Sequence, residues 1–196
     1  KANPALGLCY SKGGEGQCCF HDQGGYNINQ GERPIIGWTD ASWANCELTR
    51  RSMTGYIFVF AGGPLSWRCR KLPFVSRSTA ESELVALDEA VREAISVRAL
   101  GMELGIVGGD CIPVKEDNQA AKNFAHGTPP GDRLKHVDVK YFAVKEDQAA
   151  GKVSVEKVKS QNNLADIFTK ALGRMKFAGL RKLMGVLYAG KPAQQA

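Results

Sequence analysis

A mixed α/β domain with about five core strands and helices packed on it is the fold class this sequence predicts, and three observations predict it. Short apolar runs bounded by turn residues recur from Pro34 to Arg70, a single long stretch with apolar residues at helical spacing follows, and after it strand-like and helix-like segments alternate. The first 33 residues are glycine-rich, with one apolar run, Leu6 to Tyr10, that reads as a strand or extended segment. The glycines at 13, 14, 16, 24 and 25 fit neither a P-loop nor a strand-anchored dinucleotide fingerprint, so residues 1–33 read as a flexible connection.

Ile35 to Asp40 is a short apolar run ending in an acid, Gly55 to Phe60 is a second strand, and Gly63 to Arg70 a third, with Leu65 and Trp67 in alternation. Their connections are short, which predicts an antiparallel meander. Trp38 and Trp67 lie inside strand runs and are expected in the core. A helix is predicted from Thr79 to about Leu104, with Leu84, Leu87, Val91 and Ile95 on its apolar stripe. Ser78 is its N-cap, and Glu81 stands at the capping-box position, engaged with the Ser78 backbone.

Cys111 to Asp117 reads as a fourth strand ending in an acid, and Asn118 is placed to cap a helix running to about Ala125. Residues 127–131 are a loop, His136 to Ala149 has helical spacing, and Val153 to Val158 alternates like a strand. Helical stripes over Asn163 to Leu172 and Arg174 to Leu187 complete the order. The predicted organisation is a connection segment (1–33), the folded domain (34–172), and a C-terminal helix and tail (173–196).

Composition narrows the function classes. With 43% hydrophobic and 23% charged residues, the 196-residue chain can bury a core without disulfides or a structural metal. The six cysteines form no C-x-x-C pair, and only Cys18, Cys19 and His21 approach ligand spacing, too poorly for a zinc site. No signal peptide or apolar run of membrane-spanning length is visible, so a cytoplasmic or nuclear chain without a membrane partner is expected. The chain opens on Lys1, which reads as a fragment or processed product. Its net charge of +6 suits a phosphate-bearing partner.

The chemically informative pattern is where single acids fall. Asp40 ends the first core strand, Glu83 lies in the first turns of the long helix, Asp117 ends the fourth strand, and Asp166 opens a late helix. In open α/β folds such strand ends and helix starts gather at one sheet edge. Carboxylates gathered there repel one another unless cations are bound, and oxygen ligands without histidine or thiolate select Mg²⁺ or Mn²⁺. Two such ions activate a water and stabilise the leaving oxygen in phosphodiester hydrolysis. Singly, each acid also fits a duller role as a turn residue, a cap or a helix-dipole partner. Glu81 fits its cap and a polar face through Val85, Asp88 and Arg92. Glu83 does not, because its face continues through Leu87, Val91 and Ala94 toward the core.

The runs Thr39-Asp-Ala-Ser-Trp-Ala44, Arg50-Arg-Ser-Met-Thr-Gly-Tyr56, Ser78-Thr-Ala-Glu-Ser-Glu-Leu-Val-Ala-Leu87, Glu116-Asp-Asn-Gln119, Lys135-His-Val-Asp138 and Leu164-Ala-Asp-Ile-Phe-Thr-Lys170 resemble the ribonuclease H domain of copia-type LTR retrotransposon polyproteins. The likeness runs from about Leu6 to Leu172. It implies a ribonuclease H-like fold, a mixed five-stranded sheet with three antiparallel and two parallel strands flanked by helices. It also implies a two-metal Mg²⁺ or Mn²⁺ endonuclease acting on the RNA of RNA/DNA hybrids, next to the reverse transcriptase domain of the same polyprotein. Carried over residue by residue, the family's metal-binding carboxylates fall on Asp40, Glu83, Asp117 and Asp166. The chain departs from cellular ribonucleases H in lacking a histidine before the last acid, where residues 158–163 offer only Lys159, Ser160 and Gln161.

For the substrate, Ser42, Asn118 and Gln119 are candidates for contacts to 2′-hydroxyls, and Arg50, Arg51, Arg68, Arg70, Lys71 and Arg77 for phosphates. A second reading is a ribonuclease H-fold module that has lost catalysis and serves as a structural or protein-binding subunit of a larger assembly.

Overall fold

The computed structural model describes residues 6–8, 35–127 and 139–188. The glycine-rich stretch 9–33 with Cys18, Cys19 and His21, the loop 128–131, and the Lys135–Asp138 run with the expected helix start at His136 lie outside the described residues.

Strands β1 (Leu6–Leu8), β2 (Ile35–Ser42), β3 (Met53–Phe60) and β4 (Gly63–Lys71) precede the long helix α1 (Thr79–Glu103). Then come β5 (Ile112–Glu116), α2 (Gln119–Ala125), a 3-10 turn (Val139–Phe142), α3 (Ala143–Ala149) and β6 (Val153–Lys157). A 3-10 turn at Ser160–Asn162 leads into the short α4 (Asp166–Thr169), followed by α5 (Arg174–Leu183) and β7 (Val186–Tyr188). The main sheet has the order β4-β3-β2-β5-β6. β2, β3 and β4 form the predicted antiparallel meander, and β5 and β6 run parallel to β2. β1 and β7 pair antiparallel as a separate two-stranded sheet.

Strand alternation divides the core between the two faces of the sheet. Tyr56 and Phe58 of β3 join the cluster under α1, α2 and α3, while Ile57 and Val59 join the cluster under α4 and α5. Trp38 is on the second face and 2% exposed, as expected of a core tryptophan. Gly37 lies across from Phe58, and a Cβ there would stand 2.4 Å from the ring, so the close packing of β2 on β3 requires glycine.

α1 carries Leu84, Leu87, Ala90, Val91 and Ala94 on its sheet side, each buried. Ser78 caps it by accepting the Glu81 N–H, at 3.1 Å. Glu81 instead accepts the N–H of Arg77, one residue earlier than the capping-box expectation. On the largely polar face of Glu81, Val85 and Asp88 are buried, and Asp88 pairs with Arg92 at 2.8 Å. Asn118 caps α2 as expected, its side-chain oxygen accepting the N–H groups of Ala120 and Ala121.

Further expectations fail: the helix expected over Arg174 to Leu187 ends at Leu183, and Val186–Tyr188 is strand β7, drawn into an extended conformation by its pairing with β1. Trp67 is 53% exposed, because it sits on the edge strand β4 beyond the area that α4 and α5 cover. The helix expected over Asn163–Leu172 shrinks to Asp166–Thr169: its start is delayed because the Asn163 side chain turns back to accept the Ala165 N–H and donates to the Thr39 carbonyl at 2.8 Å, and it ends where Lys170 turns extended toward Asp40. No helix among the described residues is long and apolar enough to cross a membrane.

Replacing Leu87, which is fully buried, with alanine is expected to cost about 2–5 kcal/mol in urea unfolding, whereas Leu100→Ala at a half-exposed position stays within about 0.5 kcal/mol.

Candidate active site

The parallel pairing of β2 with β5 is short. Gly37 faces Val114, Trp38 faces Lys115, and the register ends there. Two residues past that last pair stand Asp40 on one side and Asp117 on the other, so the two acids occupy matching positions where the strands part. Glu83 descends into the gap from the second turn of α1. Asp40, Glu83 and Asp117 each bring a carboxylate oxygen within 4.8 Å of the other two. Asp40 and Glu83 are buried, and Asp117 is half-buried.

Asp166, 1% exposed, is not a member of that triad and is joined to it through a lysine. Lys170 places its Nζ 2.9 Å from Asp40 Oδ1 and 2.6 Å from Asp166 Oδ1. Lys176 of α5 pairs with Asp166 Oδ2 at 2.5 Å, and the Thr169 hydroxyl donates to Asp40 Oδ2. α4 approaches this closely because Gly55, the β3 partner of Asp40, has no side chain. A Cβ there would stand 2.7 Å from Phe168 Cβ and 3.1 Å from Thr169 Cγ2.

A fifth carboxylate belongs to the cluster. Glu116 is fully buried; its Oε1 accepts the Asn118 N–H at 2.7 Å and its Oε2 has no hydrogen-bond partner. Its signal in the sequence is strand alternation, since Ile112, Val114 and Glu116 point to one side of β5 and the first two are core residues. Lys170 had a signal as well, four residues from Asp166 and thus on the same helical face.

Burial dominates the electrostatics. It pushes the Asp40 carboxyl from its ordinary 3.8 up to about 6, against the pull of the Lys170 ammonium and the Thr169 hydroxyl. Burial, and then the negative charges of Glu116, Asp40 and Asp117, push Glu83 well above the usual carboxylate range. Burial does the same to Glu116 in spite of the N–H it accepts. For Lys170, burial alone would lower the ammonium, but Asp40 and Asp166 outweigh it and hold it above its ordinary value.

Such a cluster lacks positive charge on one side only. Asp40 and Asp166 have ammonium partners, whereas Glu83 Oε2 is buried without any partner. Hard oxygen donors around an unsatisfied carboxylate fit a small divalent cation held by Asp40, Glu83 and Asp117.

Beside the triad opens a cavity of about 720 Å³, lined among others by Trp43, Arg77, Ser78, Thr79, Asn118 and Gln119. It lies at the N-terminus of α1, where backbone N–H groups and the helix dipole favour anions. Trp43 is fixed there by a hydrogen bond from its Nε1 to the Ser76 carbonyl, 3.1 Å. Ser76, Ser52 and Ser82 lie beneath it as a closed ring of buried hydroxyls 2.6–2.9 Å apart. Of the predicted substrate contacts, Arg77, Asn118 and Gln119 line this cavity, while Ser42 and Arg51, both half-buried, are not among its lining residues. Arg70 is committed to the buried Glu89.

A five-stranded mixed sheet in this order, with a long helix on one face, two short ones on the other and acids at the split between its parallel strands, defines a ribonuclease H-like domain. Over 181 residues the chain is 34% identical to the retrovirus-related Pol polyprotein from transposon TNT 1-94 of Nicotiana tabacum, covering 91% of this chain and 13% of that one. Over 153 residues it is 29% identical to the Pol polyprotein from transposon RE2 of Arabidopsis thaliana, covering 78% and 10%. These relatives are copia-type Pol polyproteins of plant transposons, and the chain spans about an eighth or less of their length. Among solved structures, ribonuclease H1 from Halobacterium salinarum NRC-1 is similar with a TM-score of 0.49 and 15% identity, over 69% of this chain and 93% of that one. No family model matches.

Gly55→Ala is expected to push α4 off the sheet, lowering thermal stability by about 1–3 kcal/mol and breaking the Thr169–Asp40 contact. Unfolding midpoints check the first effect, and the nuclear magnetic resonance shifts of Thr169 and Asp40 check the second.

Proposed function

We propose that this domain is a metal-dependent endonuclease that hydrolyses the RNA strand of RNA/DNA hybrids within a retrotransposon polyprotein. The observation that carries the reading is the meeting of Asp40, Glu83 and Asp117 within 4.8 Å where β2 and β5 part, with the partnerless Glu83 oxygen among them. Asp40, Glu83 and Asp117 would hold one divalent ion, and Asp166 together with Asp40 a second. Bound Mg²⁺ or Mn²⁺ supplies Lewis acidity at the scissile phosphate and a nucleophilic water at neutral pH.

The remaining work falls to the chain. Thr169, Lys170 and Lys176 fix the orientation of the buried Asp40 and Asp166 carboxylates through hydrogen bonds. Asn118 uses its side-chain oxygen to cap α2, so its amide NH₂ is the end that can donate to a 2′-hydroxyl or ribose oxygen. Arg77 and the α1 N-terminus would receive a backbone phosphate in the adjacent cavity, and Trp43 gives that cavity a flat apolar wall. The partners this reading implies are an RNA/DNA hybrid and, given the polyprotein relatives, other parts of the same polyprotein, with a reverse transcriptase domain the partner the family resemblance implies.

Incubating the domain with an end-labelled hybrid is expected to release RNA fragments in Mg²⁺ or Mn²⁺ and none in EDTA. Asp40→Asn, Glu83→Gln and Asp117→Asn should each lower the rate about a thousandfold or more, since each withdraws several kcal/mol of charge stabilisation. Absence of cleavage with either metal, in a folded and hybrid-binding protein, would leave the non-catalytic module as the reading.

Arg77→Ala is expected to weaken hybrid binding at all sequences and to reduce the slope of log K against log salt by about one, measured by fluorescence anisotropy over a salt series.

A further inference from the structure

The cation demand of this cluster is met unevenly, and one residue accounts for the unevenness. All four carboxylate oxygens of Asp40 and Asp166 already have donors: Lys170 on one oxygen of each, Thr169 on the other Asp40 oxygen, Lys176 on the other Asp166 oxygen. Glu83 Oε2, in contrast, has none. Lys170 sits between two carboxylates that are 0% and 1% exposed, a position that a bridging cation would take. The lysine itself is not sealed in, because its side chain is 37% exposed and the backbone leaves the helix there in an extended conformation. Its ammonium therefore has a path into solvent that the carboxylates lack.

We propose that Lys170 is a built-in cation for the Asp40–Asp166 half of the site, so that divalent ions load in order. The first enters at Asp40, Glu83 and Asp117, where a buried carboxylate oxygen has no partner. The second binds only by displacing the Lys170 ammonium from Asp40 and Asp166. An ammonium in place keeps this half of the site neutralised and folded between turnovers, while its single charge makes it replaceable by a doubly charged ion. Lys176 touches Asp166 alone and would stay in place during the exchange. This inference rests on the metal-dependent reading above.

The test is Mn²⁺ binding to the domain without nucleic acid, by isothermal titration calorimetry and by the electron paramagnetic resonance signal of free Mn²⁺. The unsubstituted protein should bind one ion more tightly than a second. Lys170→Met should tighten the second ion roughly tenfold, a typical size for a coupling between sites, and change the first less than about threefold. Lys170→Arg, which keeps the charge, should retain the original order. Unchanged or weakened binding of the second ion in Lys170→Met would overturn the inference. Should Lys170→Met be unfolded without metal, its melting temperature is expected to recover as Mn²⁺ is added, and failure to recover would mark Lys170 as a structural ion pair only, which also overturns it. A protein in which neither the unsubstituted form nor Asp117→Asn binds any Mn²⁺ would remove the metal-dependent reading, and this inference with it. Normal first-ion binding with an indifferent Lys170 would remove this inference alone.

Discussion

The short ladder between β2 and β5 is the constraint on which the rest of the domain depends. Parallel strands that stayed paired to their ends would bury Asp40 and Asp117 against each other with no room for anything between them. Because the register stops at Trp38 and Lys115, the strands part with one acid on each lip of the gap, and α1 delivers Glu83 over it. The hydrophobic side of the ladder is unbroken, so Trp38, Ile57 and Val59 stay packed while the polar end opens. The cost of placing like charges together is offset by a core that continues on both faces of the sheet.

The opposite face depends on small groups. Gly55 leaves the space into which Phe168 and Thr169 settle, and the buried Asn163 amide ties the start of that segment to the carbonyl of Thr39, next to Asp40. Asn45 adds a hydrogen bond to the Thr169 carbonyl at 3.3 Å. These contacts hold a helix of only four residues, too short to persist on propensity, at the distance where its lysine and threonine reach a carboxylate on another strand. Geometry that would ordinarily need a long element is achieved here by packing against a glycine.

Much of this was legible in the sequence. The order of elements from β2 to β6, the meander, the caps at Ser78 and Asn118 and the inward face of Glu83 all follow from local periodicity and local hydrogen bonding, whereas β7, inside a stretch that reads as helix, does not. The three acids of the triad were readable as acids at element ends, and their register equivalence emerged only once the pairing of β2 with β5 was known. What local pattern could not reveal was set by distant partners. Trp67 alternates like a core residue, but its exposure is decided by how far α4 and α5 extend over β4. The stripe from Leu164 to Leu172 looks helical, but the Asn163 bond to a strand more than a hundred residues earlier delays its start, and Lys170, extended toward Asp40, ends it. Glu116 reads as the residue before the strand-end acid Asp117, and only its complete burial shows it to be part of the cluster.

The pairing of β1 with β7 carries a mechanical consequence. The two strands are antiparallel with Leu6 opposite Tyr188, so the chain leaves both of them at the same end of the ladder. Tension transmitted through the flanking polypeptide would load that ladder in the unzipping direction, breaking its backbone hydrogen bonds one rung at a time instead of shearing them together. A three-residue clasp loaded in that way yields at low force. It would act as a slack element, giving up length before strain reaches the five-stranded sheet and the split between β2 and β5.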